Sequence, residues 1–256
     1  MDLPGLGERA ARLSAPSPFN VPGAAVIQTD YLLLARDNLL DICEELAMGA
    51  FWGPAGVGKS YALLEAVGEV RDMPVTWIEF GHRPTMRHVT VELLKKLGYE
   101  GPMGSKHDMI DPLASLLATP RLLVIDEAQR LNTECIDHLR SIHDRVETRF
   151  AIALAGGDGC WETLSKEPML QSRIWRRTPF TALEEDEVTT LIPTFHPIFQ
   201  TATPELLLAI DRTFAHGLLR DWAGITNTLI GLMRRLRASK LSERLVQSAL
   251  AKHGCR

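Results

Sequence analysis

The chain has 256 residues, 45% hydrophobic and 23% charged, a make-up that belongs to folded globular proteins and excludes a disordered one. Its formal net charge of −4 excludes a polycation, so any hold on nucleic acid has to come from a local basic patch repeated by assembly. Four scattered cysteines, Cys43, Cys135, Cys160 and Cys255, form no C-x-x-C pair and suit reduced thiols rather than a disulfide framework.

Residues 1–25 are rich in Gly, Pro and Ala and read as an N-terminal arm. Their acids and prolines lack the basic head and apolar core of a signal peptide, and no later apolar run is long enough to span a bilayer. A cytoplasmic location without a membrane partner is therefore expected. "TDYLLLARDNLLDICEELAM" has helical spacing, with Thr29 or Asp30 as cap. "GAFWG" reads as a short strand and "KSYALLEAVGEV" as the helix after it. "VTWIEF" (75–80) is the next strand, followed by helices around "PTMRHVTVELLKKLG" and "HDMIDPLASLLAT". "RLLVIDEAQ" (121–129) is a buried strand, "NTECIDHLRSIHDRVET" a helix, and "FAIALAGG" (150–157) another apolar strand. A further short strand is expected at "TPFTAL", after Arg177.

Continuous apolar strands alternating with helices predict an α/β fold with a parallel sheet covered on both faces. Beyond Glu184 only helices are expected, at "PELLLAIDRTF", "LLRDWAGITNTLIGLMRRLR" and "SERLVQSALAKHG". The composition shift places a boundary near 183–203, drawn as a nucleotide-binding domain over 26–190 and a small all-helical domain over 191–256.

Gly53-Pro54-Ala55-Gly56-Val57-Gly58-Lys59-Ser60 fits G-x-x-x-x-G-K-[ST] at every fixed position. Small residues let backbone N–H groups wrap a phosphate chain, and the helix that follows adds the positive end of its dipole. A nucleotide is the expected ligand, held by these eight residues and Tyr61. Lys59 would reach the β- and γ-phosphates and Ser60 would ligate Mg²⁺. In "LLVIDEAQ", Asp126 should emerge at the carboxyl end of a buried strand, where ligands of open α/β sheets bind. It would serve Mg²⁺ through Ser60 and water, while Glu127 orients or polarises the attacking water. Acids at this place also cap helices, but the upstream phosphate loop favours the chemical role. The basic segment "PMLQSRIWRRTPF" offers Arg173, Arg176 and Arg177, readable as a solvated surface or as a transition-state clamp on a neighbouring subunit. Arg220, in "HGLLRDWAG", sits at a helix start, where cations are disfavoured.

The order "GPAGVGKS", "LLVIDEAQRL", "FAIALAGGDG", "LQSRIWRR" and a helical segment with "GLLRDW" resembles an AAA+ ATPase over roughly residues 30–250. More narrowly it is similar to the TnsC/TniB/Mu B group of transposition regulators. The resemblance implies an AAA+ P-loop parallel sheet sandwiched by helices, with a small C-terminal helical lid. It implies ATP bound at subunit interfaces, a ring or helical oligomer on duplex DNA, and recruitment or activation of a transposase. It matches Lys59 and Ser60 to the phosphate and Mg²⁺ residues and Asp126 and Glu127 to the second motif. Arg173 is matched to the trans-acting arginine, with Arg176 and Arg177 as rivals, and Arg220 to the sensor-2 position. One departure stands out. The strand "FAIALAG" should end in a polar sensor residue, but Gly157 and Asp158 follow Gly156. Either Asp158 substitutes or the sensor is missing, which would make hydrolysis slow. Arg83, Arg87 and Lys106 are the expected contacts to DNA phosphates, independent of base sequence. The alternatives are an AAA+ loader acting on a protein such as a replicative helicase, a two-core helicase for which the chain is too short, and a scaffold that binds ATP without turning it over.

Overall fold

A computed structural model describes residues 20–255. Positions 1–19, most of the expected arm, and position 256 lie outside the described residues. The chain divides into two units, one made of residues 31–53 and 59–180 and the other of 20–30, 54–58 and 181–255.

The first unit is built on α1 (Asp30–Glu44), β1 (Met48–Trp52), α2 (Lys59–Val67), β2 (Val75–Glu79), α3 (Met86–Lys96) and α4 (Lys106–Leu116). It continues with β3 (Arg121–Asp126), α5 (Thr133–His143), β4 (Phe150–Gly156), the short helices α6 (Cys160–Ser165) and α7 (Pro168–Gln171), and β5 (Ile174–Pro179). All pairings are parallel, in the order β2-β3-β4-β1-β5. Parallel strands need crossovers, and helices supply them. β4 is buried along its whole length and β3 beyond its first residue, which explains their unbroken apolar sequences. Three of these helices start on side-chain caps. Thr85 accepts from the amide of His88 ahead of α3, Asn132 from that of Cys135 ahead of α5, and Ser105 and Asp108 form a reciprocal capping box on α4.

The last strand departs from expectation. It runs Ile174–Pro179 rather than 178–183, so Arg176 and Arg177 lie inside it. As an edge strand it is only half buried, and polar residues are tolerated on its open side. A register shift opposite Met48 and Gly49 leaves Trp175 bulged out and 46% exposed.

The second unit is entirely helical among the described residues: α8 (Glu185–Phe195), α9 (Pro204–Ile210) running into a π-turn (Asp211–Ala215), α10 (Leu219–Leu236) and α11 (Glu243–Lys252). Its core gathers Val188, Ile192, Phe199, Trp222, Ile225, Leu229 and Val246, with Phe199 edge-on to Trp222 at 5.5 Å. Helix α8 was not expected, and the division falls after residue 180 rather than 190 because Val188 and Ile192 belong to this core.

Asp211 is the buried clasp of this unit. Its Oδ1 accepts from the backbone amide of Gly217 at 2.7 Å and from Trp222 Nε1 at 3.0 Å. Gly217 has φ +72, and a Cβ there would stand 2.4 Å from the Leu183 carbonyl oxygen. Only glycine fits. Asp211→Ala would strand two buried donors and should cost about 2–4 kcal/mol, read from the urea midpoint, with Asp211→Asn losing less. An unchanged midpoint in the alanine variant would contradict this assignment.

Candidate nucleotide site

The phosphate loop leaves β1 through Gly53. The amide of Phe180 donates to the Trp52 carbonyl at 2.7 Å, bringing the two chains so close that a Cβ on Gly53 would lie 2.1 Å from the Phe180 carbonyl oxygen. Its φ is +152, so glycine is dictated twice over. Lys59 opens α2 and its Nζ donates back to the Gly53 carbonyl at 2.7 Å, closing the turn. Ser60 follows in the first helical turn. Tyr61 is 40% exposed and bonds Glu65 through its side chain, so it offers the loop only its backbone. Partial burial, then the Glu65 charge and that hydrogen bond, push its phenol pKa up.

Within the second unit, loop residues 54–58 meet the start of α10. The amide of Arg220 donates to the Gly56 carbonyl at 3.0 Å. Leu218 provides no side-chain cap there, so the loop carbonyl satisfies one of the helix's orphan donors. A Cβ on Gly56, whose φ is +94, would come within 3.3 Å of Arg220 Cβ. The Arg220 side chain is exposed.

Asp126 ends β3 and is 4% exposed, with Oδ1 accepting from the Glu127 amide at 3.0 Å. Glu127 itself is left-handed, φ 56 and ψ 40, an uncommon conformation that turns the chain sharply off the strand. Its Oε2 accepts from Gln129 Nε2 at 2.6 Å and lies 3.7 Å from the Arg130 guanidinium. Gln129 Oε1 in turn accepts from the Gly157 amide at 3.0 Å, at the end of β4. Arg130 donates to Glu79 at 2.8 Å and to the Phe80 carbonyl at 3.1 Å, at the end of β2. Sequence reasoning gave no role to Gln129 or Arg130, although they lie two and three residues beyond Glu127. Asp158 is exposed.

The arginine candidates separate by their commitments. Arg176 is ion-paired to Asp41 at 2.7 Å and lies over the Trp175 ring at 3.9 Å. Arg177 donates to the Gln171 carbonyl at 3.0 Å and caps Trp161, which stacks on Trp52 at 4.7 Å. Arg173 precedes β5, pairs with Asp144 at 3.1 Å and remains 56% exposed. Arg83 is exposed with φ +50, and exposed Arg87 reaches the Met103 and Gly104 carbonyls at 3.5 and 3.3 Å. That contact joins the Arg83–Arg87 segment to the one leading into α4, whose first residue is Lys106.

These residues fit a nucleoside triphosphate with Mg²⁺. The loop is bare of side chains where a Cβ would collide, Lys59 supplies charge, and the Ser60 hydroxyl and Asp126 carboxylate are the hard oxygen donors that Mg²⁺ takes.

A family model described as an AAA domain matches residues 44–164. No curated protein matches the chain. Among solved structures, Aeropyrum pernix ORC2, titled as ADPNP–ADP complexes, superposes with a TM-score of 0.65 at 17% identity over 92% of this chain and 71% of its own. The Thermotoga maritima RuvB Holliday junction branch migration motor gives 0.59 at 15% identity, over 88% of this chain and 70% of that one. Aeropyrum pernix ORC1 in complex with DNA gives 0.59 at 15% identity, over 94% and 68%. The fold is the AAA+ P-loop fold, a five-stranded parallel sheet with flanking helices and a helical segment after it. No helix among the described residues is long and apolar enough to cross a membrane.

Cys160 lies buried beside this chemistry, and burial pushes its thiol up to about 12, against a smaller opposing pull from Lys59. Burial, with Glu44 adding to it, does the same to Cys43. Both thiols stay neutral in the native state, so a disulfide-exchange reagent at pH 8 should titrate Cys255 rapidly and leave Cys160 and Cys43 unreacted until unfolding. A raised native pKa gives stability that is complete below about pH 9 and lost towards about pH 12, so unfolding midpoints should fall across that window.

Proposed function

We propose that this protein is an AAA+ ATPase that assembles on duplex DNA and regulates transposition, with the nucleotide state making and breaking contacts between its copies. What carries the reading is a glycine turn closed by Lys59 and an acid pair, Asp126 and Glu127, at the carboxyl ends of two parallel strands with only β4 between them. In this scheme the backbone amides of residues 54–60 hold the phosphates and the Lys59 ammonium spreads the charge of the β- and γ-groups. Mg²⁺, ligated by Ser60 with Asp126 behind it, would neutralise developing negative charge. Glu127 orients and polarises the attacking water, and Arg173 of an adjacent copy stabilises the transition state. Arg173 is preferred because Arg176 and Arg177 are held against tryptophan rings. Arg220 belongs to the ATP-contacting set as its backbone already engages Gly56.

Support for DNA as the track comes from the exposed arginines Arg83 and Arg87 on the segment after β2, with Lys106 nearby in the chain. The base of that segment, Glu79 and Phe80, is gripped by Arg130, which also approaches Glu127. Phosphates pulling on the segment would thus be felt at the catalytic acid, a route to DNA-stimulated hydrolysis. The likeness to ORC1, solved in complex with DNA, agrees with this reading.

Three measurements test it. Glu127→Gln should cut phosphate release by roughly 100-fold or more while ATP retention persists. Equal inactivity of wild type and variant, with assembly intact, would replace the enzyme by a nucleotide-gated scaffold. Arg83→Ala with Arg87→Ala should weaken duplex binding for all sequences alike and lower the salt slope by about two. Sedimentation with ATP and duplex should show polymers, and Arg173→Ala should lower phosphate release while leaving ATP binding intact. Capture of a replicative helicase instead of a transposase, without coating of DNA, would favour a loader.

A further inference from the structure

β4 ends in Gly156, with Gly157 next, where the resemblance calls for a polar side chain that neither glycine can supply. Another residue does. The Gln129 amide lies across the strand end, its Oε1 accepting from the Gly157 amide at 3.0 Å and its Nε2 donating to Glu127 Oε2 at 2.6 Å. The glycines leave room for it, since a Cβ on Gly156 would stand 2.5 Å from Gln129 Oε1, besides meeting Cys160 Sγ, and one on Gly157 would stand 3.3 Å from its Nε2.

We propose that Gln129 is the positioning residue for Glu127, delivering from the end of β3 the polar group that β4 lacks and fixing the carboxylate in one orientation. The inference rests on the ATPase reading above. A glutamate on a left-handed backbone, at the entry to a 3-10 turn, has few constraints of its own, since its chain has three rotatable bonds. The amide supplies two at once. It ties Oε2 to a fixed backbone amide of the next strand, so Glu127 is referenced to the sheet rather than to its own turn. Gln129 also occupies one carboxylate oxygen as a donor, which leaves Oε1 as the oxygen for the attacking water. Arg130, farther away at 3.7 Å and already bonded to Glu79 and Phe80, cannot give that directional hold.

The test is a double-mutant cycle on the full chain, with Gln129→Ala, Glu127→Gln and the pair. Gln129→Met, of similar length but unable to donate, guards against a folding defect in the alanine variant. If Gln129 acts through Glu127, Gln129→Ala and Gln129→Met should each lower kcat by about 10- to 100-fold with KM for ATP within about threefold, and neither should matter once Glu127 is Gln. Hydrogen exchange reads the same bond without turnover, and the Gly157 amide should exchange at least about fivefold faster in both Gln129 variants. The proposal is overturned by a wild-type kcat in Gln129→Met, by losses that add to that of Glu127→Gln, by a matching fall in ATP affinity, or by unchanged exchange at Gly157. A wild type that releases no phosphate at all removes the ATPase reading and this proposal with it. A wild type that does, beside an equally active Gln129→Met, removes this proposal alone.

Discussion

Everything chemical in this molecule depends on how closely the chain can approach itself at one edge of a parallel sheet. Two contacts there leave no room for a β-carbon. Phe180 runs against Gly53 at the exit of β1, and Cys160 and the Gln129 amide crowd Gly156 at the exit of β4. In the sheet order, β4 lies between β1 and β3, with Trp52 opposite Gly156 and Ile125 opposite Leu154. The lysine turn and the acid pair are therefore separated by a single strand. A larger residue at the end of that strand would force them apart or push the amide out. Small residues at 151, 153, 155, 156 and 157 keep it thin.

The charges divide into those held by the fold and those left to solvent. Arg130 and Arg140 are tied to carboxylates on their own unit, at 2.8 Å to Glu79 for the first and at 2.8 and 2.7 Å to Asp137 and Asp144 for the second. Arg176 and Arg177 are flattened on indole rings, where a guanidinium stacks better than an ammonium could. Arg173 shares Asp144 with Arg140 and keeps more than half its side-chain surface open. Exposed pairs of this kind contribute little to stability, so releasing Arg173 to another acceptor is cheap.

Much of the architecture was legible because burial writes itself into the sequence. "LLVID" and "FAIALAG" could hardly be anything but doubly covered strands, and the phosphate loop followed from its spacing alone. The misses have physical reasons. "IWRRTP" hides its alternation because two of its positions are arginines that an edge strand can seat on neighbouring rings and acids. Helix α8 contains Pro193 and the β-branched run Val188-Thr189-Thr190, so its interior propensity is poor, and the capping box of Glu184 with Glu187 and the burial of Val188 and Ile192 secure it. Gln129 was invisible for a different reason. Its partner Gly157 lies 28 residues downstream, and no periodicity reports a side-chain amide bridging two strand ends.

The stack of Trp52 on Trp161 has a use beyond packing. One indole is covalently next to Gly53, the first glycine of the phosphate loop, and the other stands two residues beyond Gly159 in the segment that follows β4. With centroids 4.7 Å apart and planes only 18° from parallel, their excited states are coupled, and the Arg177 cation over one face perturbs them further. A tilt of a few degrees in either ring would alter emission and near-ultraviolet dichroism. The pair is thus a built-in optical probe of this end of the sheet, to be read against the signals of Trp77, Trp175 and Trp222.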